Sequence, residues 1–354
     1  ITDLESFYIQ SYPVIKNAER EVLQSLLQRI YSASTSESIK QLLVTHKNRS
    51  IAGEIALTAL EVSEGKKSVE NLSSLYEKLE LSKEIEEDSF VSDDLEELYD
   101  KEISTSGYRW RLNFLNQSLG SLRQGDFGFV FARPETGKTT FLASEVTHFA
   151  AQCDKPILWC NNEEAGRKVK FRCYQAALNM TSRELLQDKP KSKELYSSIV
   201  GDRIKLYDDA LMSSHSIEAV CKKLQPGLII LDQIDKIKGF KDDRYDLQMK
   251  QVYQWAREVA KRYGPVIGIC QAGGTADGKK WLTMNDVDSS HTAKQGEADW
   301  ILGIGKTFEE GFSEMRYLNI SKNKLIGDED SLPELRHGKK EVLLDAERAR
   351  YKDI

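Results

Sequence analysis

The chain has 354 residues, of which 40% are hydrophobic, and it carries a formal net charge of −6. It contains no run of 18 apolar residues and does not start with a basic and then an apolar stretch, so we expect neither a membrane span nor a signal peptide. Its five cysteines are scattered without a Cys-x-x-Cys pair, which argues against a zinc ribbon or a disulfide framework and favours a reducing, cytoplasmic location. An acidic chain of this kind would bind nucleic acid only through locally basic loops, assembled from several subunits.

Residues 1–81 are predicted to form a small all-helical domain. Apolar residues recur with the 3.6-residue period of amphipathic helices in segments 19–31, 38–44, 51–62 and 68–81. No set of residues with catalytic chemistry stands out among them. We therefore interpret this region as a structural or docking domain.

Residues 82–108 are predicted to be an acidic linker. Ser92 is a candidate N-cap for a short helix in which Leu95, Leu98 and Tyr99 share one face. Two interpretations remain open for this helix: a solvated segment, or a segment that docks on a neighbouring subunit.

Strands and helices alternate in residues 109–354, which predicts an α/β domain. Alternation of this kind indicates a mostly parallel sheet with helices on both faces, and ligands then bind at the carboxyl ends of the strands. The predicted strands are Phe127–Phe131, Ile157–Cys160, Ile204–Tyr207, Leu228–Leu231, Val266–Cys270, Trp300–Ile304, Tyr317–Ile320 and Val342–Leu344.

The loop after the first predicted strand carries the strongest motif in the chain. The phosphate-binding loop consensus is Gly, four free residues, Gly, Lys, then Ser or Thr, and here Ala132 replaces the first glycine before Gly137, Lys138 and Thr139. Backbone N–H groups of such a loop surround the phosphates of ATP, the lysine reaches the β- and γ-phosphates, and the hydroxyl ligates Mg²⁺. The predicted nucleotide-binding residues are Ala132, Arg133, Pro134, Glu135, Thr136, Gly137, Lys138, Thr139 and Thr140.

Two further predicted strands end in carboxylates. Asp232 follows an apolar strand, as in a Walker B motif, and is predicted to hold Mg²⁺ opposite Thr139, with Asp235 as a weaker candidate. Glu163 is the candidate base that positions water for hydrolysis, with Glu164 as the alternative. The competing interpretation is that both glutamates simply begin the next helix, since acidic residues are favoured in a first turn.

Basic residues near these strand ends are candidates for nucleic-acid contact. Gln271 ends another predicted strand and is a candidate γ-phosphate sensor for the glycine-rich loop that follows. That loop, residues 272–281, suits a nucleic-acid backbone, and the alternative is a disordered surface loop. The candidate contacts in this loop and after the Walker B strand are Lys236, Lys238, Lys241, Arg244, Lys279 and Lys280.

Lys322 and Lys324 end a late predicted strand. Because Lys138 already occupies the chain's own phosphate loop, these cations would suit the γ-phosphate bound by a neighbouring subunit, as an arginine finger does. The alternative is an exposed basic strand end.

The order of these motifs resembles that of the DnaB-type hexameric replicative helicases, which have a RecA-like ATPase core and include bacteriophage versions. The resemblance covers residues 109–354. Glu163 matches the family's catalytic glutamate, Asp232 its Walker B aspartate and Gln271 the glutamine of the next strand. Lys322 and Lys324 stand where the family has Lys-x-Arg, and residues 286–299 are similar to its DNA-facing motif.

This resemblance implies an ATP- and Mg²⁺-dependent helicase that forms a homo-hexamer on single-stranded DNA and unwinds a replication fork 5′→3′, in a bacterial or phage-infected cell. The sequence contains no zinc-binding or primase segment, so a separate primase is expected as a partner, together with a helicase loader. Either Lys324 acts as a weaker finger than arginine, or Arg336 replaces it. Two other functions remain open: a RecA/RadA-like recombination or repair ATPase, and an ATP-gated scaffold or loader.

Overall fold

The computed structural model describes residues 22, 25, 36–81, 93–288 and 291–354. The chain divides into two compact units, Ile1–Ser92 and Asp93–Ile354. Among the described residues, no helix is both long and apolar enough to cross a membrane.

The first unit contains two helices that pack against each other, α1 (Ser36–Ser63) and α2 (Val69–Leu81). The two segments predicted separately at 38–44 and 51–62 form the single helix α1. Its continuity has a simple cause, because residues 45–50 contain neither glycine nor proline to interrupt it. The helix predicted at 19–31 lies outside the described residues apart from two helical positions, and so does the acidic run 82–92.

The second unit begins with a short helix, α3 (Leu95–Glu102). Its N-cap is Asp94, whose carboxylate accepts the N–H of Glu97 at 2.9 Å. Ser92, the cap predicted from the sequence, lies outside the described residues, and Asp94 fills that role. Leu95 projects into solvent from this helix with 82% of its surface exposed.

The rest of the second unit is an α/β domain. Its strands are β1 (Phe127–Ala132), β2 (Ile157–Asn161), β3 (Ile204–Asp208), β4 (Leu228–Asp232), β5 (Val266–Gln271), β6 (Trp300–Gly305), β7 (Met315–Asn323), β8 (Lys339–Asp345) and β9 (Arg350–Asp353). Its helices are α4 (Asn113–Leu119), α5 (Lys138–Ala150), α6 (Gly166–Leu178), α7 (Ser182–Gln187), α8 (Lys189–Ile199), α9 (Ser214–Leu224), α10 (Tyr245–Arg262) and α11 (His291–Glu297).

The strands form one sheet in the order β3-β2-β4-β5-β1-β6-β7-β8-β9. The strands from β3 to β6 are parallel, and β7, β8 and β9 continue the sheet in antiparallel fashion. The predicted mostly parallel sheet is therefore confirmed. Strand β9 is absent from the predicted strands, and β7 is longer than its prediction.

The core lies on both faces of the sheet because side chains of β1 alternate between them. Phe127, Phe129 and Phe131 belong to one buried cluster, and Val130 and Ala132 belong to the other. Tyr253 of α10 packs edge-on against Phe129 on the first face. On the opposite face Trp110 meets the ring of Trp300 edge-on, with centroids 5.5 Å apart.

Candidate functional site

The phosphate loop connects the end of β1 to the start of α5. Gly137 is the N-cap of α5 and has a φ of 107°, a left-handed conformation that favours glycine. The Lys138 ammonium donates hydrogen bonds to the carbonyl oxygens of Ala132 at 3.1 Å and Arg133 at 3.2 Å. Burial lowers the pKa of Lys138, while the negative charges of Glu163 and Asp232 oppose that shift. The ammonium is thus held at the mouth of a helix N-terminus, where anions bind well.

Two distant residues brace this loop from behind. The Arg316 guanidinium of β7 donates to the Thr136 carbonyl at 2.6 Å. The Tyr351 hydroxyl of β9 lies 3.3 Å from the Gly137 carbonyl oxygen, and a Cβ on Gly137 would come within 2.9 Å of that hydroxyl. The sequence analysis missed both bracing residues, because they lie far along the chain and belong to no local motif.

Asp232 is the buried carboxylate at the end of β4. It is 2% exposed, and burial, with the negative charge of Glu163 second, raises its pKa to about 7. Its Oδ1 atom is buried without a hydrogen-bond partner among the described residues. Asp235, by contrast, accepts hydrogen bonds from Tyr253 at 3.0 Å and Lys294 at 2.7 Å. A buried carboxylate oxygen without a donor fits a cation ligand, which favours Asp232 over Asp235 for this role.

A magnesium ion in a site of this kind is held mostly by oxygens that do not come from carboxylates. The described residues contain no group of three His, Cys, Asp or Glu that could hold a metal alone. A phosphate-loop ATPase needs no such group, since a loop hydroxyl, one carboxylate and the phosphates complete the coordination. The half-buried Thr139 and the orphaned Oδ1 of Asp232 are the residues that fit Mg²⁺.

The two candidate bases after β2 have different surroundings. Glu164 is bound by Arg172, with one Nη2–Oε1 distance of 3.2 Å and a second, shorter contact. Glu163 is 36% exposed, and its charge acts on both Lys138 and Asp232. Helix α6 begins only at Gly166, so neither glutamate lies in its first turn. This geometry argues against the helix-start interpretation and favours Glu163 as the base.

Asn162 ties the ends of β2 and β4 together. Its N–H donates to the Asp232 carbonyl at 2.8 Å. Its side chain accepts the N–H of Gln233 at 2.6 Å and donates to the Gln233 carbonyl at 3.0 Å. Sequence reasoning missed this residue, although it stands directly before Glu163. Its position at a strand end was the available signal.

Gln271 lies at the same edge of the sheet as the phosphate loop. Its Cα partner across the parallel pair of β5 and β1 is Ala132. The Arg133 guanidinium donates to the Ala272 carbonyl at 3.1 Å, and the Gln271 carbonyl accepts the N–H of Asp288 at 3.0 Å. The glycine-rich loop is therefore connected to the phosphate loop at its first residue.

Most of the candidate nucleic-acid residues are engaged in ion pairs. In the glycine-rich loop, Lys279 pairs with Asp286 at 2.7 Å and Lys280 with Glu309 at 3.0 Å. The loop has an ordered turn at Gly274–Ala276, so the alternative of a disordered loop does not describe it. The stretch after β4 contains further pairs: Lys236 lies 3.6 Å from Glu163, and Arg244 binds Asp246 at 2.6 Å. Lys238 and Lys241 are exposed on the same stretch.

The end of β7 lies at the opposite edge of the sheet from the phosphate loop. Because β7 runs antiparallel to β6, Asn323 pairs with Trp300 at the start of β6. The Lys324 N–H donates to the Asp299 carbonyl at 2.8 Å, and the Asp299 N–H donates to the Phe127 carbonyl at 2.6 Å. Phe127 is the first residue of β1, so the length of that strand, about 17 Å, separates Lys324 from its own phosphate loop.

Three cations meet at that far edge. Lys324 and Arg336 are both exposed, and the Arg336 guanidinium donates to the Asn323 carbonyl at 3.2 Å. Lys322 is half-buried and donates to the Gln295 carbonyl. Burial, followed by the like charge of Lys324, lowers the pKa of Lys322 to about 8. Both alternatives for the finger cation therefore remain geometrically available.

Comparisons with known proteins identify the fold. Residues 100–274 match the family model described as an AAA domain. The ATPase domain of a phage helicase aligns with a TM-score of 0.61 at 16% identity, covering 73% of this chain and 95% of that one. The fold is that of a RecA-like ATPase. A DnaB-like replicative helicase, solved in a study of its interactions with primase, also aligns at 0.61 and 16%, covering 91% of this chain and 81% of that one. The resemblance to DnaB-type helicases is thus confirmed at the level of the fold.

The RadB recombinase also aligns, covering 70% of this chain and 99% of that one at 16% identity. Its TM-score is 0.47, which is too low to bear on function.

Proposed function

We propose that this protein is an ATP-dependent replicative DNA helicase that encircles single-stranded DNA as a homo-hexamer and unwinds duplex at a fork, 5′→3′. One observation carries the proposal. The candidate ATP-hydrolysing residues share one edge of the sheet, and the basic end of β7 lies at the opposite edge. A subunit of this kind brings those cations to a nucleotide only when it is arranged head to tail with a copy of itself, which is the geometry of a ring.

In the proposed mechanism, the phosphate loop holds ATP and the neighbouring strand ends act on its γ-phosphate. The loop N–H groups and Lys138 bind the β- and γ-phosphates, and Thr139 and Asp232 hold Mg²⁺. The metal, when bound, supplies charge neutralisation on the phosphate oxygens. Glu163 orients the attacking water and accepts its proton. Gln271 senses the γ-phosphate and passes its state to the loop at 272–281.

Lys324 of the neighbouring subunit, supported by Lys322, is proposed to complete the site in trans. A cation there stabilises the charge that develops on the transferred phosphoryl group. A lysine brings one point charge where arginine brings a bidentate fork, so Lys324 is expected to be a weaker finger. Arg336 lies at the same edge and is the alternative.

The DNA is proposed to contact the loops at the carboxyl edge of the sheet. Basic side chains there would neutralise phosphates of a single strand without reading its sequence. A separate primase and a helicase loader are proposed partners. The proposed DNA-contacting residues are Lys236, Lys238, Lys241, Arg244, Lys279 and Lys280.

A second candidate function follows from the lysine at the finger position. If Lys324 stabilises the transition state too weakly for processive hydrolysis, the chain would act as an ATP-gated scaffold or loader. A recombination or repair ATPase of the same fold is the remaining alternative, and it would form filaments instead of closed rings.

Unwinding of a forked DNA in the presence of ATP and Mg²⁺ tests the proposal, with Lys138→Ala as the matched inactive variant. We expect strand separation by the wild type and a loss of about 100-fold or more in the variant. Equal inactivity of both proteins would contradict helicase function and favour the scaffold. Electron microscopy with a non-hydrolysable ATP analogue separates the last alternative, since a filament in place of a six-membered ring would favour recombination.

A further inference from the structure

The turn after β4 places a lysine against the candidate catalytic glutamate. Residues Ile234–Lys236 form a short 3₁₀ turn directly after the Asp232–Gln233 strand end. At the end of this turn the Lys236 ammonium lies 3.6 Å from Oε1 of Glu163. The lysine side chain is 45% exposed and the glutamate side chain 36% exposed, so solvent and large anions can reach both.

The position of Lys236 is set by a buried anchor beneath the turn. Asp235, the preceding residue, accepts hydrogen bonds from the Tyr253 hydroxyl at 3.0 Å and from Lys294 at 2.7 Å. Lys294 is fully buried and also donates to the Asp288 carbonyl at 2.9 Å. Because this network fixes the turn backbone, Lys236 is presented to Glu163 by the fold, beyond what a mobile surface lysine would achieve.

We propose that Lys236 restrains Glu163, and that the phosphate backbone of single-stranded nucleic acid relieves the restraint by competing for Lys236. The inference rests on the proposed function, since it requires Glu163 to be the catalytic base. A carboxylate oxygen that contacts an ammonium is less available to accept a proton from water. Removal of the ammonium frees that oxygen and increases its strength as a base.

A nucleic-acid phosphate is well suited to draw the lysine away. Lys238 and Lys241 are exposed on the same stretch, so a strand that binds there extends a line of negative charge past Lys236. The pair it must break is solvent-exposed and therefore weak. Binding of the strand would then raise hydrolysis without any large movement of the domain, and its effect would be modest, about two- to fivefold.

The test compares ATP hydrolysis by three variants of the full chain, with and without saturating oligo(dT). Lys236→Met removes the ammonium, Lys236→Arg keeps a cation, and Lys250→Met removes an exposed lysine of α10 outside the site. Fluorescence anisotropy of labelled oligo(dT) establishes saturation for each protein, so weaker binding by Lys236→Met does not imitate a loss of stimulation. Thermal melting confirms that each variant is folded.

We expect Lys236→Met to hydrolyse ATP about two- to fivefold faster than wild type without DNA, and to gain correspondingly less from oligo(dT). Lys236→Arg and Lys250→Met are expected to match the wild type in both conditions. A Lys236→Met basal rate no higher than that of Lys250→Met, or full stimulation retained at saturation, would overturn the inference while leaving the ATPase intact. A wild type without any ATPase activity would instead reject the proposed function, and the inference with it.

Discussion

The side-chain amide of Asn162 pairs with both main-chain groups of Gln233, accepting its N–H at 2.6 Å and donating to its carbonyl at 3.0 Å. Glu163 follows Asn162 in the chain, and Gln233 follows Asp232. The pairing therefore fixes the candidate base relative to the candidate metal ligand. It extends the pairing of β2 with β4 by one residue beyond the Asn161–Asp232 pair that ends it.

Asn162→Ala is expected to lower kcat for ATP hydrolysis about tenfold and to change KM by less than about twofold. Two hydrogen bonds of ordinary strength are lost, and their loss misplaces Glu163 without touching the phosphate loop. Steady-state kinetics with varied ATP separates the two parameters. Asn162→Asp keeps the acceptor for the Gln233 N–H, and an intermediate kcat is expected. A raised KM with unchanged kcat would show that Asn162 does not position the base.

Mixing two inactive variants tests whether Lys324 acts on a neighbour's nucleotide. Lys324→Ala and Lys138→Ala should each abolish most hydrolysis alone. In a mixed ring an intact Lys138 meets an intact Lys324 at about a quarter of the interfaces, so about a quarter of the activity should return. The readout is ATPase rate against mixing ratio.

Arg336→Ala provides the discriminating control for this experiment. If Arg336 is the finger, this variant replaces Lys324→Ala as the one that complements Lys138→Ala. An absence of recovery with either partner would contradict a site shared between subunits.

The pH dependence of hydrolysis should report on Lys322. Its pKa is lowered to about 8, first by burial and then by the charge of Lys324, so the ammonium loses its proton as pH rises through about 8. If the charged form supports the neighbour's γ-phosphate, kcat falls above that pH and is complete below it. Lys322→Arg should remove this falling limb, since arginine stays charged.

A second variant checks the cause of the shift. Lys324→Met removes a like charge, so the pKa of Lys322 should rise and the remaining activity should decline at a higher pH. A falling limb at the same pH in all three proteins would assign it to another group.

The extent to which the sequence predicts this molecule follows the range of its interactions. The strand ends that hold Lys138, Glu163, Asp232 and Gln271 are predictable, because an apolar run followed by a polar residue is a local pattern. Arg316 and Tyr351 are not, because each contacts the phosphate loop from about 180 or more residues away, and no local pattern encodes that contact. The same reason explains why β9 is not predicted: its four residues alternate weakly and gain their order from β8.

Gly128 should be essential for stability although it lies outside the active site. It is a buried residue of β1, and a Cβ added there would come within 2.1 Å of the Trp300 ring, which is itself fully buried. Neither a central strand nor a packed indole can move aside cheaply, so Gly128→Ala is expected to lower the free energy of unfolding by about 3 kcal/mol or more. Urea denaturation followed by tryptophan fluorescence measures this change.

Gly274→Ala is the matched control, because a Cβ at that position would meet nothing within 4 Å. Its free energy of unfolding should stay within about 0.5 kcal/mol of the wild type. Similar midpoints for the two variants would mean that the sheet can yield at Trp300. The close approach of β1 and the indole would then be a consequence of glycine at this position, with no demand on the sequence.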